Sequence, residues 1–174
     1  MSEPGTAPWR RAEASRLIAF GRAAALAGGG FGWLGANGEI DGTQPCPLYI
    51  NSRMTYAFTL AHLDGAAGAG SLAASGLQAL ASRYADEENG GWFSAIDRSG
   101  KVIDSAKTNY AHAHTLLAAA SAVAAGIPGA DAALAAAAAA IDQHFWSDAE
   151  GCALESWNAG FSELEPYRGA NSNM

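Results

Sequence analysis

The chain has few basic residues and no long uninterrupted apolar run, and each shortage excludes a class of partner. Lysine and arginine number 10 against 17 aspartates and glutamates, which gives a formal net charge of −7 at pH 7. An acidic chain without a basic stripe binds phosphate backbones poorly, so we expect no nucleic acid partner. No run of about 18 apolar residues occurs, so we expect no membrane-spanning helix and no membrane partner.

Cysteine and metal-ligand motifs are also scarce. Cys46 and Cys152 lie 106 positions apart, and neither belongs to a CxxC pair. The sequence therefore predicts no disulfide scaffold, and because HExxH is absent as well we expect no metal ion. Residues 1–8 are polar and lack the charged-then-apolar order of a signal peptide. We expect residues 1–8 to be disordered and the protein to be cytoplasmic.

What the chain does have is a repeat of about 60 residues. Glycine–aromatic segments mark its three copies, at 30–34, 90–93 and 151–157. Gly32 to Gly91 is 59 positions, and Gly91 to Gly151 is 60. A repeat of this length is a supersecondary unit that must stack on its neighbours to bury its apolar face. We therefore expect residues 1–174 to form half of one larger domain.

Helical periodicity fills the space between the glycine–aromatic segments. It predicts five helices, over residues 9–27, 51–63, 71–84, 108–125 and 130–145. Ser71 is the predicted N-cap of the third helix, and a sixth helix is expected to begin near Asn171. Hairpins are predicted at 31–40 and 92–103, and a third irregular or hairpin segment at 147–151. The order indicates an all-α toroid of inner and outer helices, with short β-hairpins at its rim.

Ligand sites in such a toroid lie at the axis, because concave surfaces hold most small molecules. Arg53 opens the second helix, where a guanidinium can donate several hydrogen bonds to sugar hydroxyls; the alternative is a surface arginine. Tyr110 opens the fourth helix and can turn its hydroxyl to the axis; the alternative is a core tyrosine. His114 lies one turn further along the same face. His112 points elsewhere, so the two histidines are poorly placed to share a metal.

Other polar and glycine-rich segments have structural interpretations. Four acidic residues flank the second hairpin in a pattern typical of turns and caps: Asp86, Glu87, Glu88 and Asp97. The glycine run at 28–32 follows a helix rather than a strand, which excludes the dinucleotide-binding and P-loop motifs, so we expect no cofactor. Trp33 and Trp92 occupy equivalent positions in the repeat and are predicted to pack the hairpins onto helix ends.

Seven segments resemble the N-acylglucosamine 2-epimerase superfamily, in order along nearly the whole chain. They are GFGWLG at 30–35, LYINSRM at 48–54, GGWF at 90–93, KTNYAH at 107–112, HFWS at 144–147, LESW at 154–157 and YRGANSNM at 167–174. The resemblance is nearest to the aldose–ketose isomerase branch, the sulfoquinovose and mannose isomerases. It implies an (α/α)6 barrel more than twice this long. It also implies a monosaccharide substrate and proton transfer by two histidines through a cis-enediol, without metal or nucleotide.

The resemblance also assigns individual residues. Arg53, Tyr110 and Asn171 match substrate-binding positions of the family, whereas Tyr49 stands where relatives often have tryptophan. The acid/base histidines are expected beyond Met174, so no catalytic residue is assigned in this chain. None of the four histidines present matches them: His62, His112, His114 and His144. We therefore expect an N-terminal fragment that binds sugar weakly and is inactive alone, with the oligomeric state of the full-length form left open.

Two other functions remain open at this point. One is a C2 epimerase of the N-acylglucosamine type, which begins with the same proton abstraction. The other is a carbohydrate-binding half-barrel without catalysis. A glycosidase would need two carboxylates across the axial cleft, and the sequence offers no such pair. The sugar is also open among mannose, sulfoquinovose, glucose and an acylated hexosamine.

Overall fold

The computed structural model describes residues 3–173, which contain five α-helices, and four of these form two layers. The helices are α1 (Ala7–Gly21), α2 (Leu48–Leu63), α3 (Ala69–Ala79), α4 (Asn109–Ala124) and α5 (Ala130–His144). Helix α2 packs on both α3 and α4, and α4 packs also on α5. Thus α2 and α4 form an inner layer, with α3 and α5 outside it. The all-α arrangement of helical pairs predicted from the repeat is confirmed.

In the described part of the chain, every helix is too short or too polar to cross a bilayer.

Short strands lie at one end of the helices. They are β1 (Cys46–Pro47), β2 (Ala95–Ile96), β3 (Val102–Asp104), β4 (Lys107–Thr108), β5 (Trp146–Ser147), β6 (Cys152–Ala153) and β7 (Ser156–Trp157). They pair antiparallel, in the order β1-β2-β3 in one sheet and as β4-β7 and β5-β6 in two others. Strands β1 and β4 lead directly into the inner helices. Each inner helix therefore starts from a rim strand that pairs with a strand of the following repeat: β1 with β2, and β4 with β7.

The same hydrogen bond recurs where each inner helix begins. The Leu48 N–H donates to the Ser94 carbonyl at 2.8 Å, and the Asn109 N–H donates to the Glu155 carbonyl at 2.9 Å. Leu48 and Asn109 are 61 positions apart, as are Ser94 and Glu155. The structural repeat is therefore 61 residues, slightly longer than the spacing of the glycine segments indicates.

The starts of α2 and α3 and the end of α3 differ from the predictions, because the local backbone conformation decides these boundaries rather than the helix propensity of the residues. Helix α3 begins at Ala69, after Gly68 in the left-handed region at φ 72°, so the prediction of Ser71 as N-cap is wrong. Its predicted last turn is instead a π-helical turn, Leu80–Tyr84. Helix α2 begins at Leu48 rather than 51, because Pro47 in an extended conformation is compatible with a helix start.

The hairpins and chain ends also differ in detail. The predicted hairpin at 31–40 is reduced to one isolated bridge, between Leu34 and Ile40, whereas those at 92–103 and 147–151 are β2–β3 and β5–β6. Helix α1 begins at Ala7, within the segment 1–8 expected to lack order, and residues 1 and 2 lie outside the described residues. The start of the predicted sixth helix is a 3-10 turn, Asn171–Asn173, and Met174 lies outside the described residues.

Small residues let the two layers approach closely. A Cβ added to Gly76 of α3 would lie 1.9 Å from the Thr55 hydroxyl of α2, so only glycine fits at that crossing. Phe31 stacks on Phe58 with ring centroids 5.3 Å apart, and both are buried. Trp92 is buried and its Nε1 donates to the Leu80 carbonyl at 3.0 Å, as predicted for a residue that packs the hairpin on a helix end.

A buried ion pair joins the second hairpin to the rim strand β4. Lys107 is fully buried, and its Nζ lies 2.8 Å from Asp86 Oδ2 and 3.0 Å from the Gly90 carbonyl. Burial lowers the pKa of Lys107. Burial alone would raise the pKa of Asp86, but hydrogen bonds from Lys107 and Asn89 outweigh it and hold the pKa below its usual value. The turn-and-cap prediction for Asp86 is confirmed, since Oδ1 accepts from two backbone amides, but the ion pair was not foreseen.

Asn51 and His112 occupy equivalent places in two repeats, 61 positions apart, and both are fully buried. Each lies against a left-handed glycine. A Cβ on Gly30 would come within 2.7 Å of Asn51 Oδ1, and one on Gly91 within 2.8 Å of His112 Nε2. The two copies therefore place different polar side chains against glycine at this buried position.

The hydrogen bonds of His112 fix its tautomer. The Trp92 N–H can only donate, so His112 Nε2 accepts this bond, at 3.2 Å. His112 Nδ1 therefore carries the proton and donates to the Thr108 carbonyl at 2.8 Å. Burial, with smaller contributions from the charges of Lys107 and His144, lowers the pKa of His112 to about 4, although the hydrogen bond to the Thr108 carbonyl partly opposes this. The fold thus requires a neutral imidazole.

We expect His112→Asn to reduce the loss of unfolding free energy that the parent shows as the pH falls from 6.5 to 4. The folded pKa of His112 lies below its unfolded value of about 6.5, so its contribution is complete above pH 6.5 and is lost as pH falls towards 4. The loss should be about 3 kcal/mol in the parent. Asparagine, the residue used at the equivalent position, does not titrate. Urea unfolding at several pH values between 4 and 6.5 measures the difference, and parallel curves for parent and variant would contradict the assignment.

We expect Lys107→Met to lower the free energy of unfolding by about 3–5 kcal/mol, because it leaves the Asp86 carboxylate buried without its cation. The double variant Asp86→Asn/Lys107→Met should recover part of this loss, since it removes the buried charge. Lys101→Met, at an exposed lysine, is the control. A loss below about 1 kcal/mol for Lys107→Met in urea unfolding would show that the pair contributes no more than a surface ion pair.

Candidate functional site

A cavity of about 470 Å³ opens at the rim beside the N-terminal ends of α2 and α4. Its polar lining consists of Tyr49, Ser94, Asp104, Thr108, Tyr110, Glu155 and Asn171. A cavity of about 540 Å³ lies at Leu116, Ile141 and Trp146, but Asp142 is the one charged residue of its lining. Convergent hydroxyl, amide and carboxylate groups mark the rim cavity as the better ligand site.

Two tyrosines form the wall of the rim cavity between the inner helices. Tyr49 lies in the first turn of α2 and Tyr110 in the first turn of α4, 61 positions later. Their ring centroids are 5.8 Å apart and the rings are tilted by 60°. Both side chains are half-buried. Each phenol can donate and accept a hydrogen bond, and each ring offers an apolar face of the kind that packs on a sugar.

Asn171 occupies the third equivalent position, again 61 positions on from Tyr110. It begins the short 3-10 turn, and its side chain is exposed. Two contacts hold this segment at the rim. The Gly169 N–H donates to Glu155 Oε2 at 2.9 Å, and Asn109 Nδ2 donates to the Ser172 carbonyl at 3.0 Å.

Arg53 lies one turn along α2 from Tyr49 and is exposed, outside the lining of the rim cavity. Its partner across the inner layer is His114 of α4. Burial lowers the pKa of His114, and the positive charge of Arg53 lowers it further. Of the four residues predicted to bind substrate, the structure therefore brings Tyr49, Tyr110 and Asn171 together and places Arg53 beside His114.

Glu155 and Asp104 line the cavity, but the sequence reasoning did not select them. The segment LESW was noted as a motif, yet nothing in it showed that its carboxylate would receive a backbone amide 14 residues later. A comparison of repeats could have found Glu155, because it stands 61 positions after Ser94, which lines the same cavity.

The other histidines lie away from this cavity. His112 is committed to the packing of the repeat, and His144 stacks on Phe161 with ring centroids 3.7 Å apart. His62 is exposed beside Gly70. Across residues 3–173, no three histidine, cysteine, aspartate or glutamate side chains are grouped so that they could hold a metal ion.

Known proteins similar to this chain are enzymes that act on sugars. The family model described as N-acylglucosamine 2-epimerase (GlcNAc 2-epimerase) matches residues 29–174. A D-mannose isomerase of Thermobifida fusca is 50% identical over 166 residues, which are 95% of this chain and 41% of that protein. A D-mannose isomerase of Pseudomonas cannabina pv. alisalensis is 41% identical over 175 residues, which cover 100% of this chain and 41% of that protein. The chain thus spans about two fifths of the length of these relatives.

Solved structures establish the fold. A crystal structure of a D-mannose isomerase superposes with a TM-score of 0.88 at 24% identity, over 99% of this chain and 46% of that chain. The cellobiose 2-epimerase of Spirochaeta thermophila DSM 6192 gives a TM-score of 0.77 at 20% identity, over 97% of this chain and 45% of that chain. The chain therefore has the fold of nearly half of an (α/α)6 barrel, as predicted.

We expect Glu155→Ala to loosen the segment that carries Asn171, because it removes the acceptor of the Gly169 amide. Hydrogen exchange at the Gly169 amide should accelerate by at least about tenfold, the effect of losing one hydrogen bond to a charged group. Glu163→Ala, at an exposed glutamate, is the matched control. Equal exchange in the two variants would show that Glu155 does not hold this segment.

Proposed function

The chain belongs to the N-acylglucosamine 2-epimerase family, and on that basis we propose that residues 1–174 form the N-terminal, sugar-binding part of an aldose–ketose isomerase. The observation that carries the proposal is 50% identity to a D-mannose isomerase over 95% of the chain. D-mannose or a closely related aldose is the proposed substrate. The domain is a single (α/α)6 barrel, of which this chain supplies the first helical pairs.

The rim cavity supports a monosaccharide ligand. Tyr49 and Tyr110 offer two phenols and two ring faces, and Asn171 offers an amide that donates and accepts. Arg53 adds a fork of donors on the axial side. A pyranose has hydroxyl groups and an apolar ring face. The phenols, the amide and the guanidinium can hydrogen-bond its hydroxyls, and the tyrosine rings can pack on its apolar face. These four residues are the proposed substrate contacts.

The reaction we propose moves one proton between neighbouring carbons. A base removes the C2 proton of the open-chain aldose while an acid protonates the C1 oxygen, which gives a cis-enediol. Return of a proton to C1, with loss of the C2 hydroxyl proton, gives the ketose. Histidines outside residues 1–174 are the proposed acid and base, since a pKa near neutrality suits both roles. No cofactor is required, and the 174-residue chain alone is proposed to be inactive.

A C2 epimerase is the second candidate, favoured by the description of the matching family. It shares the first proton abstraction but returns the proton to the other face of C2. A carbohydrate-binding half-barrel without catalysis is the third. The cytoplasmic location expected from the composition stays a prediction, and the oligomeric state stays open.

A chimera tests the proposal: residues 1–174 joined to the remaining C-terminal part of the Thermobifida fusca D-mannose isomerase. We expect it to convert D-mannose into D-fructose, and the 174-residue chain alone not to. Arg53→Ala in the chimera should lower kcat/KM by about 10- to 100-fold, the effect of losing charge-assisted hydrogen bonds. Arg11→Ala, at an exposed arginine of α1, is the control.

Binding and conversion by the chimera test the sugar-binding role of residues 1–174, because its acid and base come from the Thermobifida fusca isomerase. A folded chimera that binds D-mannose without converting it would favour the binding module. If the chimera folds and neither binds nor converts sugars, or if Arg53→Ala behaves like Arg11→Ala, the proposed assignment is wrong.

A further inference from the structure

His114 stands at the repeat-equivalent position of Arg53, 61 positions later. Tyr49 and Arg53 are four residues apart on α2, and Tyr110 and His114 are four residues apart on α4. The spacing places both pairs on one face of their helices. The inner layer therefore carries two tiers of polar groups: the tyrosines at the rim, and Arg53 with His114 one turn further along the axis.

The contacts of His114 leave its nitrogens available. Its ring meets the Tyr110 ring edge-on, at 81° and with centroids 4.6 Å apart, which fixes its orientation. Its neighbour His112 uses both nitrogens to hold the fold. By contrast, no hydrogen bond joins a ring nitrogen of His114 to any other residue of the described part, 3–173, and the side chain is only half-buried.

Burial and the charge of Arg53 together favour the neutral form of His114. Partial burial and the cation of Arg53 both disfavour a second positive charge there, so the pKa of His114 lies below its ordinary value. A neutral imidazole has one donor and one acceptor nitrogen. Beside a guanidinium that can only donate, it supplies the acceptor that Arg53 lacks.

We infer that His114 is a specificity-determining substrate contact, whose imidazole hydrogen-bonds a hydroxyl of the sugar held by Arg53 and Tyr110. This inference rests on the proposed function, because it adds a residue to the proposed substrate contacts; His114, like Arg53, lies outside the lining of the rim cavity. The chemical class of ligand is a neutral polyol, since its hydroxyls both donate and accept. The alternative is that His114 only supports the ring of Tyr110, and two substitutions separate these roles.

The experiment compares His114→Phe with His114→Gln in the chimera of residues 1–174 with the remainder of the Thermobifida fusca isomerase. Phenylalanine keeps a ring against Tyr110 but has no hydrogen-bonding nitrogen, whereas glutamine keeps a donor and an acceptor without the ring. We expect His114→Phe to raise KM for D-mannose about tenfold, and His114→Gln to stay within about threefold of the parent. The melting temperatures of all three should agree within a few degrees.

A series of deoxy-mannoses gives a second readout. In the unsubstituted chimera, the deoxy-mannose that lacks the hydroxyl bound by His114 should have a kcat/KM about tenfold lower than that of D-mannose. In the His114→Phe chimera the two sugars should have equal kcat/KM. The inference is overturned if every deoxy penalty survives in His114→Phe, or if His114→Gln is the damaging change, which would leave His114 as a support for Tyr110.

The Arg53→Ala variant distinguishes failure of the inference from failure of the proposed function. Loss of activity in Arg53→Ala with unchanged kinetics in His114→Phe overturns the inference alone. If the folded chimera neither converts nor binds D-mannose, the proposed function fails, and the inference fails with it. Titration of the 174-residue chain with D-mannose, followed by NMR, checks directly whether the His114 and Tyr110 resonances move with the sugar.

Discussion

The N–H groups at the start of an α-helix have no partner within that helix, and in this molecule the next repeat supplies one. Leu48 donates to the Ser94 carbonyl just before β2, and Asn109 to the Glu155 carbonyl between β6 and β7. Because these bonds lie at the first residue of each inner helix, they set where the helix begins and how it is rotated. Tyr49 and Tyr110 are the very next residues, so the cavity wall depends on this exchange between repeats.

Two neighbouring positions of the inner helices differ in their role: one packs in the core, and the other is proposed to contact the substrate. The position of Asn51 and His112 lies against a left-handed glycine and is fully buried, so the side chain there must be compact. The position two residues later, held by Arg53 and His114, is exposed in one repeat and half-buried in the other, and carries no such restriction. Helical geometry alone turns these neighbours to opposite sides. The proposed substrate contacts can therefore vary freely between repeats, whereas the buried position can change only to a side chain that fits against its glycine.

The parts of this structure that sequence reasoning could predict are those encoded over short distances. Alanine-rich periodic segments predicted all five helices, and Asn171 was expected at a helix start because the repeat places it there. Contacts between distant residues were not predictable in this way. The ion pair of Asp86 and Lys107 spans 21 positions, and Glu155 reaches the Gly169 amide 14 positions on. Ser71 failed as an N-cap because Gly68 and its backbone angle, rather than a capping side chain, start α3.

The spacing of the three repeats has a consequence for how such a chain can change. The inner helices α2 and α4 begin 61 residues apart, and so do the left-handed glycines that lie against them, Gly30 and Gly91. Each repeat is thus held at two points of fixed spacing, the glycine contact and the strand pairing before the inner helix. An insertion between these points can therefore loop out while both contacts stay in place. This lets a barrel of such units lengthen its loops, and so diversify, without disturbing the ring that holds them.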